Sequence, residues 1–370
     1  MSTVVSIICF ILIIGLVIFV HEFGHFLIAK QNGIGVVEFS IGMGPSIYSW
    51  VKNGTKYSIK WIPFGGYCMM LGDETFVPDV DAEGEETVMD KEHSFVNKPV
   101  GARIATIAAG PVFNFILAFI FALLLTALVG VTTSKIGAIS PGYPAEAAGL
   151  QAGDRITKID STRMHFFKDI SLYMTMHEGE EVRIEYIRDG EKRETRLYPQ
   201  YSEEDGRYLI GILSPGYTTD LNIGEVLKYG ALDFGYNTKI VIKSLGMLFT
   251  GKASINDLSG PVGMAGMVND IVEEVAEDTK EDSFWTTAYW VFINLLSFTL
   301  LISANLGVMN LLPIPGMDGG RLIFLFIEAI RGKPIEKKKE GIVTLVGFVL
   351  LLLLMVFVFF NDIRKVFFGI

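Results

Sequence analysis

Long apolar runs alternate with polar stretches along the 370-residue chain. Four of these runs are long enough for a helix that crosses a bilayer, which takes about 20 apolar residues. They cover residues 4–28, 104–131, 284–309 and 342–360. The polar stretch between the second and third runs is large enough for a separate folded domain. The pattern predicts a polytopic α-helical membrane protein with four transmembrane helices.

A different pattern follows the first run. Residues 33–67 are rich in glycine, aromatic and β-branched residues, and residues 57–61 alternate between apolar and polar side chains, which is the period of a half-buried strand. Asn53-Gly54 is a turn signal directly before this segment. We therefore expect a membrane-associated β-sheet attached to the first run. Where it enters the membrane, its open backbone must face protein or a wet cavity.

The polar stretch between the second and third runs contains strand and turn signals. A hairpin is predicted around Asp189-Gly190. The arrangement resembles a PDZ domain, and the segments that carry the resemblance are residues 140–141, 145–149 and 153–156. We expect one extracytoplasmic PDZ-like α+β domain. The predicted division is a first part of the membrane core at 1–131, the PDZ-like domain at 132–220, an amphipathic helical connection at 221–283, and a second part of the membrane core at 284–370.

The distribution of charged residues predicts how the chain is oriented in the membrane. The formal net charge of −10 gives no support to nucleic-acid binding, and much of it comes from residues 73–92, which we expect to form a solvated loop. The short loop at 330–340 is strongly basic, and the positive-inside rule places it in the cytoplasm. Counting back, the segment 31–100 is also cytoplasmic, whereas the middle domain and both termini are outside.

The sharpest chemical signal is His21-Glu22-Phe23-Gly24-His25, which ends the first apolar run. Residues four apart share one face of a helix, so both imidazoles can bind one metal ion. Glu22 lies between them and can act as the general base for a water molecule. The alternative is a structural polar cluster. Ionisable groups in a span cost roughly 2.5–3.5 kcal/mol each and are usually functional, which favours a metal site.

A third ligand has to come from elsewhere in the chain. Asp318 is the best candidate, because Pro313 and Pro315 break the helix that the third run begins, and broken helices at membrane depth often line a site. The alternative role for Asp318 is a helix cap at a membrane-exit turn. The three other histidines are expected to be ordinary surface residues. Asn114, a polar residue in the second run, is expected to serve packing.

Two motifs together resemble one known family. Residues 21–25 match the HExxH motif of the site-2 protease family of intramembrane metalloproteases, in its RseP-like branch. Residues 310–319 match that family's NxxPxxxLDG motif, with Met317 in place of the usual leucine. The resemblance covers nearly the whole chain. It implies that the cofactor is Zn²⁺, that the two histidines and Asp318 are its ligands, and that Glu22 is the base.

The same resemblance implies a function. It predicts hydrolysis of peptide bonds within or beside the transmembrane segments of single-pass proteins, such as anti-sigma factors and signal-peptide remnants. The expected location is a bacterial cytoplasmic membrane, with the active site toward the cytoplasm. The oligomeric state and the identity of the substrate stay open.

A membrane-spanning substrate must unwind before it is cut, so its backbone needs new hydrogen-bond partners. The predicted sheet can supply an edge strand through Gly65, Gly66 and Tyr67. Asn305 and Asn310 in the third run can hydrogen-bond the unwound backbone, or alternatively a neighbouring helix.

Two other functions are compatible with parts of the pattern. One is a membrane-anchored PDZ adaptor or pseudoprotease with a structural metal site, and the intact Glu22 speaks against it. The other is a metal transporter, which would usually show repeated halves. The sequence shows no such repeat.

Overall fold

The computed structural model describes residues 3–73, 92–203, 205–251, 254, 256 and 258–368. The chain forms two compact units. We call Met1–Phe121 together with Asn237–Ile370 the membrane unit, and Ala122–Tyr236 the middle unit. The acidic loop lies largely at 74–91, outside the described residues, so its solvated character stays a prediction.

The helices follow the apolar runs and the predicted connections. In chain order they are α1 (Thr3–Gln31), α2 (Val100–Val129), α3 (Pro144–Ala147), α4 (Phe167–Met176), α5 (Ile223–Phe249), α6 (Pro261–Asp278), α7 (Phe284–Leu311), α8 (Asp318–Arg331) and α9 (Lys337–Phe368). Among the described residues, α1, α2, α7 and α9 are long and apolar enough to cross a membrane. This result confirms the four long apolar helices that the apolar runs predicted.

The strands lie in two places along the chain. Those of the membrane unit are β1 (Val36–Lys52) and β2 (Thr55–Met70). Those of the middle unit are β3 (Ala138–Ile139), β4 (Arg155–Ile159), β5 (Thr162–Arg163), β6 (Val182–Arg188), β7 (Glu191–Leu197), β8 (Gln200–Ser202), β9 (Arg207–Leu209) and β10 (Ile212–Leu213).

The hairpin of β1 and β2 is folded so that one segment is central. Residues 38–41 pair on one side with residues 66–69 and on the other side with residues 56–59. The strands are joined at Asn53-Gly54, whose φ angles are +51° and +73°, which is the left-handed backbone that this turn requires. Residues 66–69 therefore lie at an edge of the sheet. The sequence predicted the strands and the turn, but not this pairing on both sides.

The middle unit has its own hydrophobic core. Its main sheet has the strand order β5-β4-β6-β7, and β3 pairs separately with β10. Ile156, Ile159 and Ile184 are fully buried on the inner face of this sheet, where α4 contributes Ile170. The core lies within the unit, so the middle unit has the hydrophobic core expected of a folded domain.

The helix α6 is anchored in the membrane unit by a carboxylate from another helix. Asp362 of α9 is 1% exposed and accepts hydrogen bonds from the backbone N–H groups of Gly260 (3.1 Å) and Gly263 (2.8 Å). These groups lie at the N-terminus of α6, where a helix has unsatisfied donors and favours negative charge. Asp362 therefore acts as a cap supplied by a distant part of the chain.

Candidate metal centre

Three side-chain atoms form a small buried triangle in the membrane unit. The Nε2 atom of His21 lies 3.1 Å from Oδ2 of Asp318, and Nε2 of His25 lies 3.3 Å from the same oxygen. The two Nε2 atoms are 3.2 Å apart. Ligand atoms at about 2.0–2.1 Å from a tetrahedral zinc ion are about 3.3–3.4 Å from one another. The triangle therefore fits three corners of such a site and leaves the fourth corner open.

The chemistry of these atoms also fits a cation. Oδ2 of Asp318 is buried and has no hydrogen-bond partner among the described residues. A buried carboxylate oxygen without a donor is costly, and a metal ion would satisfy it. Within the described residues, the ligand atoms of His21, His25 and Asp318 all lie within 4.8 Å of one another, which is close enough to bind one metal ion.

The orientation of His25 is fixed from its far side. Its Nδ1 atom lies 2.9 Å from the carbonyl oxygen of Thr106 in α2. A carbonyl only accepts, so Nδ1 carries the proton and Nε2 keeps its lone pair facing the triangle. This is the arrangement in which an imidazole binds a metal and donates its other N–H to an outer partner.

His21 has an amide as its outer partner. The side-chain nitrogen of Asn114 lies 3.0 Å from Nδ1 of His21, and Asn114 is fully buried. Its Oδ1 atom has no hydrogen-bond partner among the described residues. Turning this amide by 180° exchanges the two atoms, so that Oδ1 accepts the Nδ1–H proton. We infer that Asn114 holds His21 in the metal-binding tautomer, rather than only packing between helices as the sequence suggested.

Replacing Asn114 by leucine tests this positioning role. Outer-shell partners of metal-binding histidines typically contribute about 10–100-fold in metal affinity. We therefore expect Asn114→Leu to weaken zinc binding by a factor in that range, as measured by competition with a chromophoric chelator. Asn294→Leu is the control, because Asn294 is exposed in α7 and, among the described residues, its side chain bonds only the carbonyl of Trp290 one turn earlier. Equal affinities of Asn114→Leu and the parent chain would contradict the role.

The break between α7 and α8 places Asp318. The helix α7 ends at Leu311, before the two prolines, and α8 begins at Asp318 itself. An ionised carboxylate is favoured in the first turn of a helix, where N–H groups point outward. A Cβ at Gly319 would overlap the carbonyl oxygen of Leu312, and one at Gly320 would lie 2.5 Å from that of Ile314. Both glycines are therefore needed for the tight turn that delivers Asp318.

Two ion pairs hold α8 in position. Glu328 of α8 forms a bidentate pair with Arg103 of α2, with one N–O distance of 3.1 Å. Arg321, one turn after Asp318, donates to Asp73, which lies three residues after the end of β2, at 2.7 Å. All four side chains are at most 20% exposed, so water screens these pairs less than it screens surface pairs. The helix that carries Asp318 is thus tied to α2 and to the hairpin.

Close contact between α1 and α2 brings the histidines against the second helix. A Cβ at Gly110 would overlap Nε2 of His25 and lie 2.8 Å from Cε1 of His21. A Cβ at Gly24 would lie 2.6 Å from the carbonyl oxygen of Ala109. Small residues allow such approach between membrane helices. The run of small residues before Pro111 was the available sequence signal for this contact, and it was missed.

Glu22 lies between the histidines and the sheet edge. The backbone N–H of Cys68 donates a hydrogen bond to the Glu22 carboxylate, and Glu22 interacts electrostatically with both imidazoles and Asp318. A Cβ at Gly66 would lie 3.4 Å from Cγ of Glu22. Burial raises the pKa of the Cys68 thiol above its usual value, so this thiol is neutral at physiological pH.

The side chain of Tyr67 points into a polar network within the hairpin. Its hydroxyl donates to Oε2 of Glu38 at 2.6 Å, and Ser58 and Lys60 also bond within this network. Burial alone would raise the pKa of Glu38, but the hydrogen bonds from Ser58 and Tyr67 and the charge of Lys60 lower it below its usual value. The network holds the Tyr67 side chain within the hairpin and so fixes the edge segment.

The two asparagines of α7 lie in different surroundings. The side-chain nitrogen of Asn310 lies 3.5 Å from Nδ1 of His21, which is at the long limit for a hydrogen bond. Asn305 is exposed on the helix surface. The structure therefore brings Asn310 to the histidine cluster together with Asp318, whereas Asn305 is not joined to that cluster by any hydrogen bond among the described residues.

Comparisons with known proteins agree with this geometry. The profile of peptidase family M50 matches residues 9–354. The zinc metalloprotease RasP of Geobacillus kaustophilus is 32% identical over 99% of this chain and 99% of its own length. The regulator of sigma-W protease RasP of Bacillus subtilis is 32% identical over 98% of this chain and 99% of its own length. A Clostridium acetobutylicum protein is 37% identical over 97% of each chain.

Solved structures match a smaller part of the chain. The PDZ domain of an SdrC-like protein from Listeria innocua is 25% identical, with a TM-score of 0.22. The match covers 24% of this chain and 98% of that domain.

The family match and the zinc metalloprotease relatives, together with the four apolar helices, define an integral-membrane metallopeptidase. The chain belongs to peptidase family M50, the site-2 protease family, and is an intramembrane zinc metalloprotease. Its cofactor is therefore zinc, as the two sequence motifs predicted.

Proposed function

We propose that this protease cuts single-pass membrane proteins within or beside their transmembrane segments, with zinc held by His21, His25 and Asp318. The observation that carries the proposal is the triangle of their three ligand atoms, with edges of 3.1–3.3 Å, beside the half-buried Glu22. When bound, zinc lowers the pKa of water and polarises a carbonyl group. The relative from Bacillus subtilis, named a regulator of sigma-W protease, makes anti-sigma factors the first substrates to test.

Glu22 moves the proton in this proposal. It takes a proton from the attacking water and delivers it to the amide nitrogen that leaves, so that one carboxylate serves as base and then as acid. Its hydrogen bond from the Cys68 N–H orients the carboxylate and ties it to the sheet edge. The base and the strand that would hold the substrate are thus connected by one hydrogen bond.

The edge of the hairpin is the proposed substrate-binding strand. In the register of the described residues, 66–69 pair only with 38–41, so the opposite side of this segment is available for strand addition. Gly65, Gly66 and Tyr67 would then align an unwound substrate beside Glu22 through backbone hydrogen bonds. Asn305 and Asn310 would bond the substrate backbone from the α7 side.

The orientation in the membrane is also a proposal. The basic loop between α8 and α9 favours the cytoplasm, which puts the middle unit and both termini outside. Exposed apolar side chains of the hairpin, including Val51 (73%) and Trp61 (68%), support its contact with lipid. On this topology the middle unit acts as a filter for bulky substrate ectodomains.

Reconstitution tests the function directly. The purified chain is placed in liposomes with a single-pass anti-sigma factor that lacks its outer domain, and cleavage products are identified by mass spectrometry. We expect cleavage inside or next to the transmembrane segment, loss of cleavage with a strong zinc chelator, and recovery on adding zinc. Cleavage that continues at the same rate without metal would contradict the proposal.

The same system separates substrate binding from metal binding. Because one hydrogen bond contributes about 0.5–1.5 kcal/mol, Asn305→Leu should lower kcat/KM by about 2–12-fold while zinc content stays unchanged. Asn294→Leu, on the same helix, is the matched control. If both variants cleave like the parent chain, Asn305 has no part in holding the substrate.

A further inference from the structure

A groove in the middle unit contains none of the candidate metal-site residues and has an unusual charge. Its volume is about 740 Å³, and it is lined mainly by β4, β6, β7 and the first turns of α5. Seven of its lining residues are cationic, namely Lys135, Arg155, Lys158, Arg163, Lys192, Arg193 and Lys228. Only two are carboxylates, Glu185 and Glu194. In a chain of net charge −10, this is a local concentration of positive charge.

Most of these cations are not neutralised within the protein. Glu185 pairs with Lys158 at 3.3 Å. Glu194 pairs with Arg183, which does not line the groove, at 3.7 Å. Among the described residues, the groove cations without an ion pair are Lys135, Arg155, Arg163, Lys192 and Lys228. Like charges around one concavity repel each other and attract an anion, because the concave wall focuses their field.

The groove lies at the outer end of a membrane span. Its α5 wall is formed by Lys228, Tyr229 and Leu232. Gly230, between them, is buried against α2, where a Cβ would lie 3.0 Å from Cα of Leu123. Leu123 lies six residues before the end of α2, which is about 9 Å along the helix axis. This wall is therefore at the depth where a bilayer's hydrocarbon gives way to its headgroups.

The start of α5 also has the composition of a helix that lies on a membrane surface. Ile223 is 81% exposed and Leu227 is 53% exposed, and the two lie one turn apart on the same face. Lys228 and Tyr229 follow directly. Exposed apolar residues beside a cation and a tyrosine are typical of segments at the lipid–water boundary.

We propose that this groove binds the phosphate-bearing headgroup of an anionic phospholipid. Such phosphates are the anions present at the depth of Lys228 in any anionic bilayer, and guanidinium groups bind phosphate oxygens in pairs. An acidic peptide would satisfy the charge equally, but it would not explain the exposed apolar pair beside the groove. A headgroup held here anchors the middle unit to the membrane surface by its basic face.

Lipid binding by the full-length chain tests the proposal. The chain is purified in an uncharged detergent and titrated with dioctanoyl phosphatidylglycerol, dioctanoyl phosphatidylcholine or inorganic phosphate, and bound molecules are counted by native mass spectrometry. We expect phosphatidylglycerol to bind at least about tenfold more tightly than the other two. The variant Arg155→Gln/Lys228→Gln should weaken that binding by roughly 30-fold, since each cation near a membrane surface contributes about a factor of five.

The control removes equal charge from the same unit. Arg196 and Arg207 are exposed and do not line the groove, so Arg196→Gln/Arg207→Gln should bind phosphatidylglycerol like the parent chain. Thermal unfolding midpoints show whether both variants are folded. Equal phosphatidylglycerol binding by the parent chain and the groove variant would overturn the proposal. Inorganic phosphate that binds as tightly as the lipid, or an aspartate-rich peptide that displaces it, would also overturn the lipid assignment.

Discussion

Replacing Glu22 by glutamine is expected to abolish measurable cleavage while the protein still binds zinc. Glutamine keeps the size and can still accept the Cys68 N–H bond, but it cannot take a proton from water. General-base catalysis contributes about 10²–10⁴-fold, so kcat should fall by at least that range. The measurement is product formation in liposomes, together with zinc content of the same sample.

The control for this result replaces an exposed glutamate of the middle unit. Glu191 has a 74% exposed side chain in the middle unit, and Glu191→Gln should cleave at the parent rate. A Glu22→Gln protein that retains more than about a tenth of the parent activity would show that another group moves the proton.

Replacing Asp318 by asparagine is expected to remove zinc and cleavage together. The amide is neutral and offers one weak oxygen ligand where the carboxylate oxygen lies 3.1 Å and 3.3 Å from the two imidazole nitrogens. Loss of a charged ligand should cost more affinity than the roughly 10–100-fold typical of outer-shell changes. Zinc affinity is measured by chelator competition on both proteins.

Asp282→Asn is the control for this change, because Asp282 is an exposed carboxylate in the turn before α7. It should leave zinc affinity and cleavage unchanged. An Asp318→Asn protein that binds zinc as tightly as the parent would mean that Asp318 is a helix cap and not a ligand. Comparison of the two variants separates the roles of base and ligand, because Glu22→Gln should keep zinc whereas Asp318→Asn should lose it.

Local sequence patterns predicted the elements of the site better than its outer contacts. The four-residue spacing of His21 and His25 already places both on one helix face, and the two prolines before Asp318 end α7 where the structure ends it. Asn114 and the carbonyl of Thr106 were not predicted as partners of the histidines. Asn114 is 93 positions from His21 in the sequence, and Thr106 is 81 positions from His25. A local sequence period cannot predict contacts over such separations.

The hairpin of β1 and β2 also shows what local sequence patterns can and cannot predict. Alternation along residues 57–61 indicated a strand, and Asn53-Gly54 marked its turn, because both signals are local. The pairing of residues 38–41 on both sides depends on how β1 bends near Gly42 and Gly44, whose φ angles are +85° and +86°. Several bends satisfy one sequence, so the position of the edge strand beside Glu22 emerged only from the folded arrangement.

X-ray absorption at the zinc edge tests the central claim most directly. On the purified chain loaded with one zinc ion, we predict two imidazole nitrogens at about 2.0–2.1 Å and carboxylate or water oxygen at about 2.0–2.2 Å, with no sulfur. The imidazole scattering should persist in Glu22→Gln. A first shell that contains sulfur at about 2.3 Å, or that lacks imidazole, would show that the ion is held elsewhere than between His21, His25 and Asp318.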